Sequence, residues 1–276
     1  MDKYILPRGY LSASSIGTYL RCGYQFKFRY VDGIVSPPNM ALTQGTVGHK
    51  VFETYYNNVL NGGTRMSPSE AKDAGVDFLE KEIEKNEIKL SPTELNTHIK
   101  EVEILSESYV GNIAKDINPI SVEDEVRYIS RCGVELLGYL DLVHETEDRD
   151  EYLIADYKIT GKKWNINQLR NSLQFKLYAL STGLYDIEVH NIVKTIKVPK
   201  VFNKVAEDGT REVGSNLRIL NHSFQKEEAD FLEEQIEAVA RGITTGIFIP
   251  TDPGNWMCNP TWCGYWHLCR GKTRKE

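Results

Sequence analysis

Apolar residues recur at helical spacing through the first part of the chain. Ser12 offers an N-cap oxygen to the first such segment, and Gly62 with Gly63 ends the second. The third and fourth segments are charged on one side and apolar on the other, which predicts a helical insertion over residues 64–116. Together the pattern predicts four helices, over residues 11–30, 46–60, 69–89 and 92–115.

From about residue 120 the apolar period shortens to two, the spacing of a strand. Gly133 and the polar stretch 147–151 separate three such runs, which we predict to form a three-stranded meander. Glu207-Asp208-Gly209 is a predicted hairpin turn between two polar strands. The predicted strands cover residues 121–131, 134–145, 152–159 and 189–199, and two further helices cover residues 167–185 and 224–245.

The composition is that of an ordinary folded chain. Its 276 residues are 41% hydrophobic and 26% charged, which is enough apolar material for a core. One domain over residues 1–276 is the simplest prediction, with a cysteine-rich tail at 250–276. No run approaches the ~18 apolar residues of a membrane span, and the N-terminus has no apolar signal-peptide segment. We therefore expect a cytoplasmic protein without membrane contact.

Two acidic residues fall on neighbouring predicted strands. Asp141 ends a G-x-x-D motif, and Asp156 begins a D-x-K motif that ends at Lys158. Residues i and i+2 of a strand share a face, so Asp156 and Lys158 point the same way, and a hairpin can bring Asp141 beside them. Adjacent carboxylates repel unless a cation lies between them. Mg²⁺ or Mn²⁺ suits such a site, because hard cations prefer carboxylate oxygens and water.

This arrangement is typical of phosphodiester hydrolysis. A divalent metal lowers the pKa of a bound water and stabilises charge on the phosphoryl oxygens. Lys158 would orient that water or neutralise the transition state. The alternative is an ordinary surface carboxylate beside a strand-edge lysine, since D-x-K strings are common. The preceding G-x-x-D strand favours the catalytic interpretation.

Four short motifs occur in the order and spacing of a known family. They are G-x-x-x-H at 45–49, G-x-x-D at 138–141, D-x-K at 156–158 and Q-x-x-x-Y at 174–178. The chain resembles the RecB-type branch of the PD-(D/E)XK nucleases, which includes phage exonucleases and the RecB-like exonucleases associated with CRISPR adaptation. The resemblance implies an α/β fold: a restriction-endonuclease-like mixed sheet flanked by helices.

The same resemblance implies roles for individual residues. Lys158 would be the catalytic lysine beside the two aspartates, and Gln174 and Tyr178 would steady the site or touch the DNA strand. The implied metal ligands are His49, Asp141, Asp156, the carbonyl of Tyr157 and, for a second ion, Glu125.

The chain has five cysteines, and three of them crowd the tail. Cys258, Cys263 and Cys269 have a spacing that suits a metal, and Cys22 is the candidate fourth ligand of a tetrahedral site. In the family that the chain resembles, four such cysteines hold a [4Fe–4S] cluster, usually with C-x2-C-x5-C at the end. Here the spacing is C-x4-C-x5-C, and Zn²⁺, with His267 as a substitute ligand, remains the alternative. Cys132 is predicted to be an ordinary buried thiol.

Basic residues cluster locally although the formal net charge is −6. Such a charge excludes binding to nucleic acid through bulk positive charge, so any DNA contact is local. A basic wall beside the acidic pocket is one interpretation, and a solvated strand face is the other. The residues concerned are Lys158, Lys162, Lys163 and Arg170, followed by Lys194, Lys197 and Lys200 on a predicted strand.

The favoured function is a metal-dependent DNA exonuclease of phage or bacterial recombination, repair or replication. Its expected substrates are single-stranded DNA or DNA ends, and a recombination or single-strand-binding protein is an expected partner. One alternative is a DNA-binding or assembly module that keeps the fold without turnover. The other is a sequence- or structure-specific endonuclease.

Overall fold

A computed structural model of the chain describes residues 4–36, 39–146 and 151–269. Most of the predicted turn at 147–151, the pair Pro37–Pro38 and the last seven residues of the tail lie outside these ranges. Within them, none of the helices has the length and apolar character needed to cross a lipid bilayer.

Seven strands form one mixed sheet in the order β1-β2-β3-β4-β7-β6-β5. The pair β3–β4 is parallel and the other neighbours are antiparallel. The predicted fold class, a mixed sheet flanked by helices, is confirmed. The strands are β1 (Pro119–Ile129), β2 (Glu135–Glu145), β3 (Tyr152–Thr160), β4 (Asp186–Val193), β5 (Asn203–Val205), β6 (Arg211–Val213) and β7 (Leu217–Ser223).

Helices surround this sheet, and several begin with side-chain caps that are readable in the sequence. Ser67 and Ser91 each close a capping box with a glutamate three residues on, and a proline follows each serine. The helices are α1 (Ala13–Arg21), α2 (Gly23–Phe26), α3 (Met40–Leu60), α4 (Pro68–Lys85), α5 (Pro92–Asn112), α6 (Ile166–Arg170), α7 (Leu173–Thr182), α8 (Lys226–Thr244) and α9 (Trp266–Cys269). A π-helical turn, Lys27–Val31, extends α2, and a 3₁₀ turn, Ala114–Asp116, follows α5.

The sheet has a core on each face. On one face Ala155 and Tyr157 of β3 pack with α3, α4 and α5. On the other, Ile154 packs with Phe175 of α7, and α1 and α8 extend this layer beside α7. Alternate residues of β3 therefore serve opposite cores, as strand geometry requires. Asp156 and Lys158 belong to the α7 face by this alternation.

Several predicted elements are shorter than the pattern indicated. The helix predicted over 11–30 is interrupted at Cys22, which is extended (φ −163°, ψ 107°) and separates α1 from α2. The helix predicted over 167–185 is two helices that meet at Ser172. The strand predicted over 189–199 ends at Val193, so Lys197 and Lys200 lie on a loop and do not share a strand face.

Candidate active site

The pairing of β1 with β2 is interrupted at one position. Val122 pairs with Leu142 and Asp124 with Leu140, but Glu123 and Asp141, which stand between these pairs, do not pair. Glu123 has a positive φ of 50°. Glutamate rarely adopts this conformation, so its presence indicates local strain. The register of the flanking pairs places Glu123 and Asp141 opposite each other.

His49 approaches this point from α3. Its Nδ1 lies 3.4 Å from Oδ2 of Asp141, and its Nε2 lies 3.1 Å from the carbonyl oxygen of Tyr157. The same Asp141 oxygen accepts a hydrogen bond from the Tyr157 amide at 2.8 Å. At Gly48 the helix lies directly against β3, and a Cβ there would require the terminal methyl group of Ile159 to move. The packing of α3 against the sheet thus positions His49. The helix starts at Met40, six residues before the predicted start at residue 46.

A second set of contacts surrounds Asp156, which is completely buried. Its Oδ1 accepts a hydrogen bond from Nε2 of Gln174 at 3.0 Å, and the Lys158 ammonium lies 2.6 Å from its Oδ2. Lys158 also donates to Oε1 of Gln174 at 2.9 Å. Gln174 further donates to the Tyr178 hydroxyl, which donates to the Tyr139 carbonyl. One glutamine therefore holds the carboxylate, the lysine and the tyrosine in a fixed arrangement.

Electrostatics make this a site that favours a cation. Burial raises the pKa of Asp156 to about 6, Lys158 opposes this, and the charge of Asp141 adds to it. Burial disfavours the imidazolium of His49, but the hydrogen bond and charge of Asp141 outweigh it, so the pKa of His49 is raised. Burial and then Asp141 raise the pKa of Glu123. Asp156 and Glu123 thus each favour the neutral form unless a positive charge lies beside them.

The donor set fits a divalent metal. Ligand atoms of His49, Glu123 and Asp141 lie within 4.8 Å of one another. Oδ2 of Asp156 is buried and, despite the nearby ammonium, accepts no well-formed hydrogen bond from the described part of the chain. Carboxylates, a backbone carbonyl and one imidazole are donors that Mn²⁺ accepts, and the oxygens alone suit Mg²⁺. The residues present therefore fit the metal that the sequence predicts.

Glu125, the predicted ligand of a second ion, lies apart from this group. It is exposed, and it accepts hydrogen bonds from Arg127 and from the Tyr139 hydroxyl. Glu123 stands where that ligand was expected. The sequence could have indicated Glu123 through the register of the hairpin. A three-residue loop ending at Gly133 puts Ile129 opposite Glu135, and the same register continued along both strands puts Glu123 opposite Asp141.

The site opens to the surface on two sides. One depression is lined by Arg8, Tyr10 and Ser12 and reaches Asp141 and Gln174. The other is lined by residues of α3 and α4, together with Glu123, Tyr157 and Lys158. Asp141 and Lys158 are therefore reachable by a phosphate.

The predicted basic residues are dispersed. Lys162 and Arg170 are exposed, and Lys163 is bound to Glu212. Lys194 is half-buried and donates to Gln44 on α3. Only Lys158 of the set belongs to the acidic centre.

The four cysteines predicted to act together line one pocket: Cys22, Cys258, Cys263 and Cys269. Burial raises the pKa of the Cys263 thiol, and the neighbouring Cys22 and Cys258 add to this. Cys132 lies elsewhere, packed against the core beneath α8. The pocket's aromatic lining includes Phe28 and Trp262.

Comparison with known proteins gives a family and little beyond it. No curated protein matches the chain. Among solved structures, a crystal structure of SSO0001 is similar, with 12% sequence identity, 83% of this chain and 98% of that chain covered, and a TM-score of 0.37. The model of the PD-(D/E)XK nuclease superfamily matches residues 10–270, nearly the whole chain. The chain therefore belongs to the PD-(D/E)XK nuclease superfamily.

Proposed function

We propose that the chain is a metal-dependent DNA exonuclease. The observation that carries this proposal is that Asp141 and Asp156, on neighbouring strands, lie close enough for their charges to interact, with His49 beside the first, Lys158 beside the second and an opening to solvent. Membership of the nuclease superfamily makes hydrolysis of phosphodiester bonds the expected chemistry. Mg²⁺ or Mn²⁺ would be held by His49, Glu123, Asp141, Asp156 and the Tyr157 carbonyl.

When bound, this metal would supply a water of lowered pKa and neutralise charge on the phosphoryl oxygens. The chain's own residues prepare the site. Asp141 is held by the Tyr157 amide, and Gln174 fixes Lys158 against Asp156. Lys158 is placed to stabilise negative charge that develops during attack on the phosphate. Tyr178 acts through Gln174 and the Tyr139 carbonyl, which makes it a positioning residue.

The finer assignment to the RecB-type branch rests on the four motifs and the cysteines. Their common pocket supports the proposal of one metal centre at the two ends of the chain. We propose a [4Fe–4S] cluster there, with Zn²⁺ as the alternative, because thiolates bind both. The insertion at 64–116 shares a core with the sheet, through Leu79 and Leu105, which supports one domain.

Single-stranded DNA or DNA ends are the proposed substrates. The depression with Arg8, Tyr10 and Ser12 offers a cation and an aromatic ring beside the acidic centre, and bases stack on such rings. A recombination or single-strand-binding protein is the proposed partner, and we place the activity in the cytoplasm of a bacterial or phage-infected cell.

Digestion of end-labelled linear DNA with Mg²⁺ or Mn²⁺ tests the activity. Asp156→Asn and Lys158→Gln are expected to lower the rate by about 10²–10³-fold or more, because each removes a charge used in the transition state. Glu125→Gln, a carboxylate on the same sheet that is bound to Arg127, is the matched control and should keep its rate. Equal rates in wild type and the Asp156 variant would rule out the centre.

The same assay separates the alternatives. Release of short products from ends supports the exonuclease, and discrete cuts in closed circular DNA support an endonuclease. A wild-type protein that binds DNA but cuts no topology with either metal would establish the non-catalytic module.

A further inference from the structure

A second polar cluster lies inside the protein, on the sheet face opposite to Asp156. It consists of His144 on β2 and of Glu188 and His190 on β4, residues that are 6%, 8% and 0% exposed. Oε2 of Glu188 lies 3.2 Å from Nε2 of His144 and 3.0 Å from Nε2 of His190. All three ligand atoms lie within 4.8 Å of one another. Three ionisable groups thus converge where an apolar core would be expected.

The strand between them explains how they meet. β3 separates β2 from β4, and its Ala155 pairs with Leu142 on one side and Glu188 on the other. Ala155 presents only a methyl group between Leu153, which pairs with His144, and Tyr157, which pairs with His190. Side chains from both flanking strands can therefore meet above Ala155. The cluster therefore bridges two strands that share no hydrogen bonds.

Both ring nitrogens of His144 face hydrogen-bond acceptors, and a neutral imidazole has a proton for only one of them. Its Nδ1 faces the carbonyl oxygen of Glu145 at 2.9 Å, and a carbonyl only accepts, so Nδ1 carries a proton. In a neutral imidazole, Nε2 then presents a lone pair to Oε2 of Glu188, which is also an acceptor. Two buried lone pairs 3.2 Å apart repel. Either a second proton or a metal ion must lie between them.

The surroundings are those of metal-binding histidines. A ligating histidine commonly gives its other nitrogen to a carbonyl, carboxylate or similar partner. His144 does so with Glu145, and Nδ1 of His190 lies 2.8 Å from the Tyr109 hydroxyl, which contacts the Tyr56 hydroxyl at 3.0 Å. The remaining oxygen of Glu188 lies 3.1 Å from the amide of Asn221. The outer atoms of the three side chains, Nδ1 of each histidine and one oxygen of Glu188, thus each have a partner. The other three atoms, Nε2 of each histidine and Oε2 of Glu188, face one another.

We propose that His144, Glu188 and His190 bind a structural Zn²⁺ ion. Two imidazoles and one carboxylate are a donor set that zinc uses, at about 2.0–2.2 Å from each ligand. Tetrahedral geometry at those bond lengths places ligand atoms about 3.3 Å apart, close to the separations in the cluster. A water would take the fourth position. The ion clamps β2 to β4 around β3, the strand that carries Asp156 and Lys158.

Zinc bound to the full-length protein tests this site. The protein is stripped with a chelator, titrated with Zn²⁺ in excess Mg²⁺ to occupy the acidic centre, and analysed for zinc per chain and for its unfolding midpoint. Wild type is expected to gain a zinc ion and a higher midpoint. Glu188→Gln removes the charged ligand but keeps a hydrogen-bonding group for neutral histidines, and should bind one zinc fewer.

Tyr109→Phe is the second variant, because it keeps the ring in the core and removes the hydroxyl that contacts His190 and Tyr56. It is expected to weaken zinc affinity by about 10–100-fold. Asp141→Asn and Cys263→Ser report on zinc taken by the acidic centre and by the cysteines, and each should keep the zinc that Glu188→Gln loses. A wild type that binds no zinc outside the cysteines, or a Glu188→Gln variant with unchanged zinc content, overturns the proposal. The cluster would then be an ion pair held by a protonated histidine.

Discussion

The carboxylate of Asp156 lies inside the protein, with one oxygen bonded to Gln174 and the other facing the ammonium of Lys158. Removing a carboxylate from water costs several kcal/mol, and one neighbouring cation rarely compensates fully. The raised pKa of about 6 is the outcome of these opposing effects. A side chain kept in this state is already desolvated and oriented for a metal, so binding has less to reorganise.

The raised pKa leads to a prediction about the metal-free protein. Between the ordinary pKa of 3.8 and the raised value of about 6, the folded state holds a proton that the unfolded state has lost. Stability therefore falls as the pH rises through this window. Asparagine does not titrate, so the unfolding free energy of Asp156→Asn should increase relative to wild type from about pH 4 to pH 6 and then level off. Urea unfolding in chelator measures this, and a difference that does not vary with pH would contradict it.

Glu123 is expected to tune the affinity for metal. A carboxylate oxygen of Glu123 lies within 4.8 Å of ligand atoms of His49 and Asp141. The backbone of Glu123 has a strained positive φ at this position. Glu123→Gln removes one negative charge from the ligand set, so about 10-fold more Mn²⁺ should be needed for half-maximal DNA cleavage, as for other changes beside a metal. The rate at saturating metal should largely recover.

Glu125→Gln is the matched control, since it changes the same kind of group two residues along the same strand. It should leave the Mn²⁺ dependence unchanged. If instead the Glu125 variant shifts the metal requirement and the Glu123 variant does not, the ligand assignment made from the strand pairing is wrong.

At the scale of elements, the β1–β2 hairpin is fastened to α8 by one buried carboxylate. Glu233 of α8 is 5% exposed, and it accepts hydrogen bonds from the Tyr128 hydroxyl at 2.6 Å and from the Arg131 amide at 3.0 Å. Burial, followed by this contact, raises the pKa of Tyr128 to about 12. The hairpin that supplies Glu123 and Asp141 thereby has a fixed position relative to the helical layer.

Tyr128→Phe is expected to loosen this connection. It leaves an oxygen of Glu233 without its donor, which typically costs about 1–3 kcal/mol for a buried group. Tyr139→Phe is the matched control on the neighbouring strand, because that hydroxyl also donates to a glutamate but is exposed. Chemical denaturation should show a lower unfolding free energy for the first variant alone. Equal losses in both would mean that the Glu233 contact adds nothing.

The elements show how far periodicity carries a prediction. The strands β1, β2 and β3 follow from their alternation, because each has apolar residues on a face that packs on a core. The breaks at Cys22 and Ser172 do not follow, since the apolar spacing continues across both. Residues 194–200 continue the alternation although β4 ends at Val193. Alternation indicates which residues would share a face, but it does not indicate whether a neighbouring strand is present.

The acidic centre was predictable for a different reason. Asp141, Asp156 and Lys158 lie on regular strands, where spacing along the chain fixes the face of each side chain. Glu123 was missed because its place opposite Asp141 follows from the register of the hairpin, which has to be counted from the loop. Its positive φ is an irregularity that no periodic pattern encodes. The cluster of His144, Glu188 and His190 was missed because it spans two strands that are not neighbours, which requires the strand order.

At the scale of the whole molecule, the two ends of the described chain are joined. The amide of Gly23 donates to the Ile249 carbonyl at 2.6 Å, and a Cβ on Gly23 would collide with that backbone. The Tyr265 hydroxyl donates to the Ile34 carbonyl at 3.0 Å. The cysteine pocket lies at this junction, so a metal there would close a loop of more than two hundred residues, and closing long loops restricts the unfolded chain most.

Serine substitution of the cysteines tests that closure. Cys22→Ser and Cys258→Ser are expected to lose the same metal centre, because the two residues line one pocket from opposite ends of the chain. Both should therefore lose absorbance near ~400 nm if the centre is iron–sulfur, and both should unfold at a lower temperature than wild type. Cys132→Ser, in a different core, is the control and should keep its spectrum. A colourless wild type with bound zinc would identify the centre as zinc, and a wild type without either metal would leave the pocket as aromatic packing around cysteines that bind no metal.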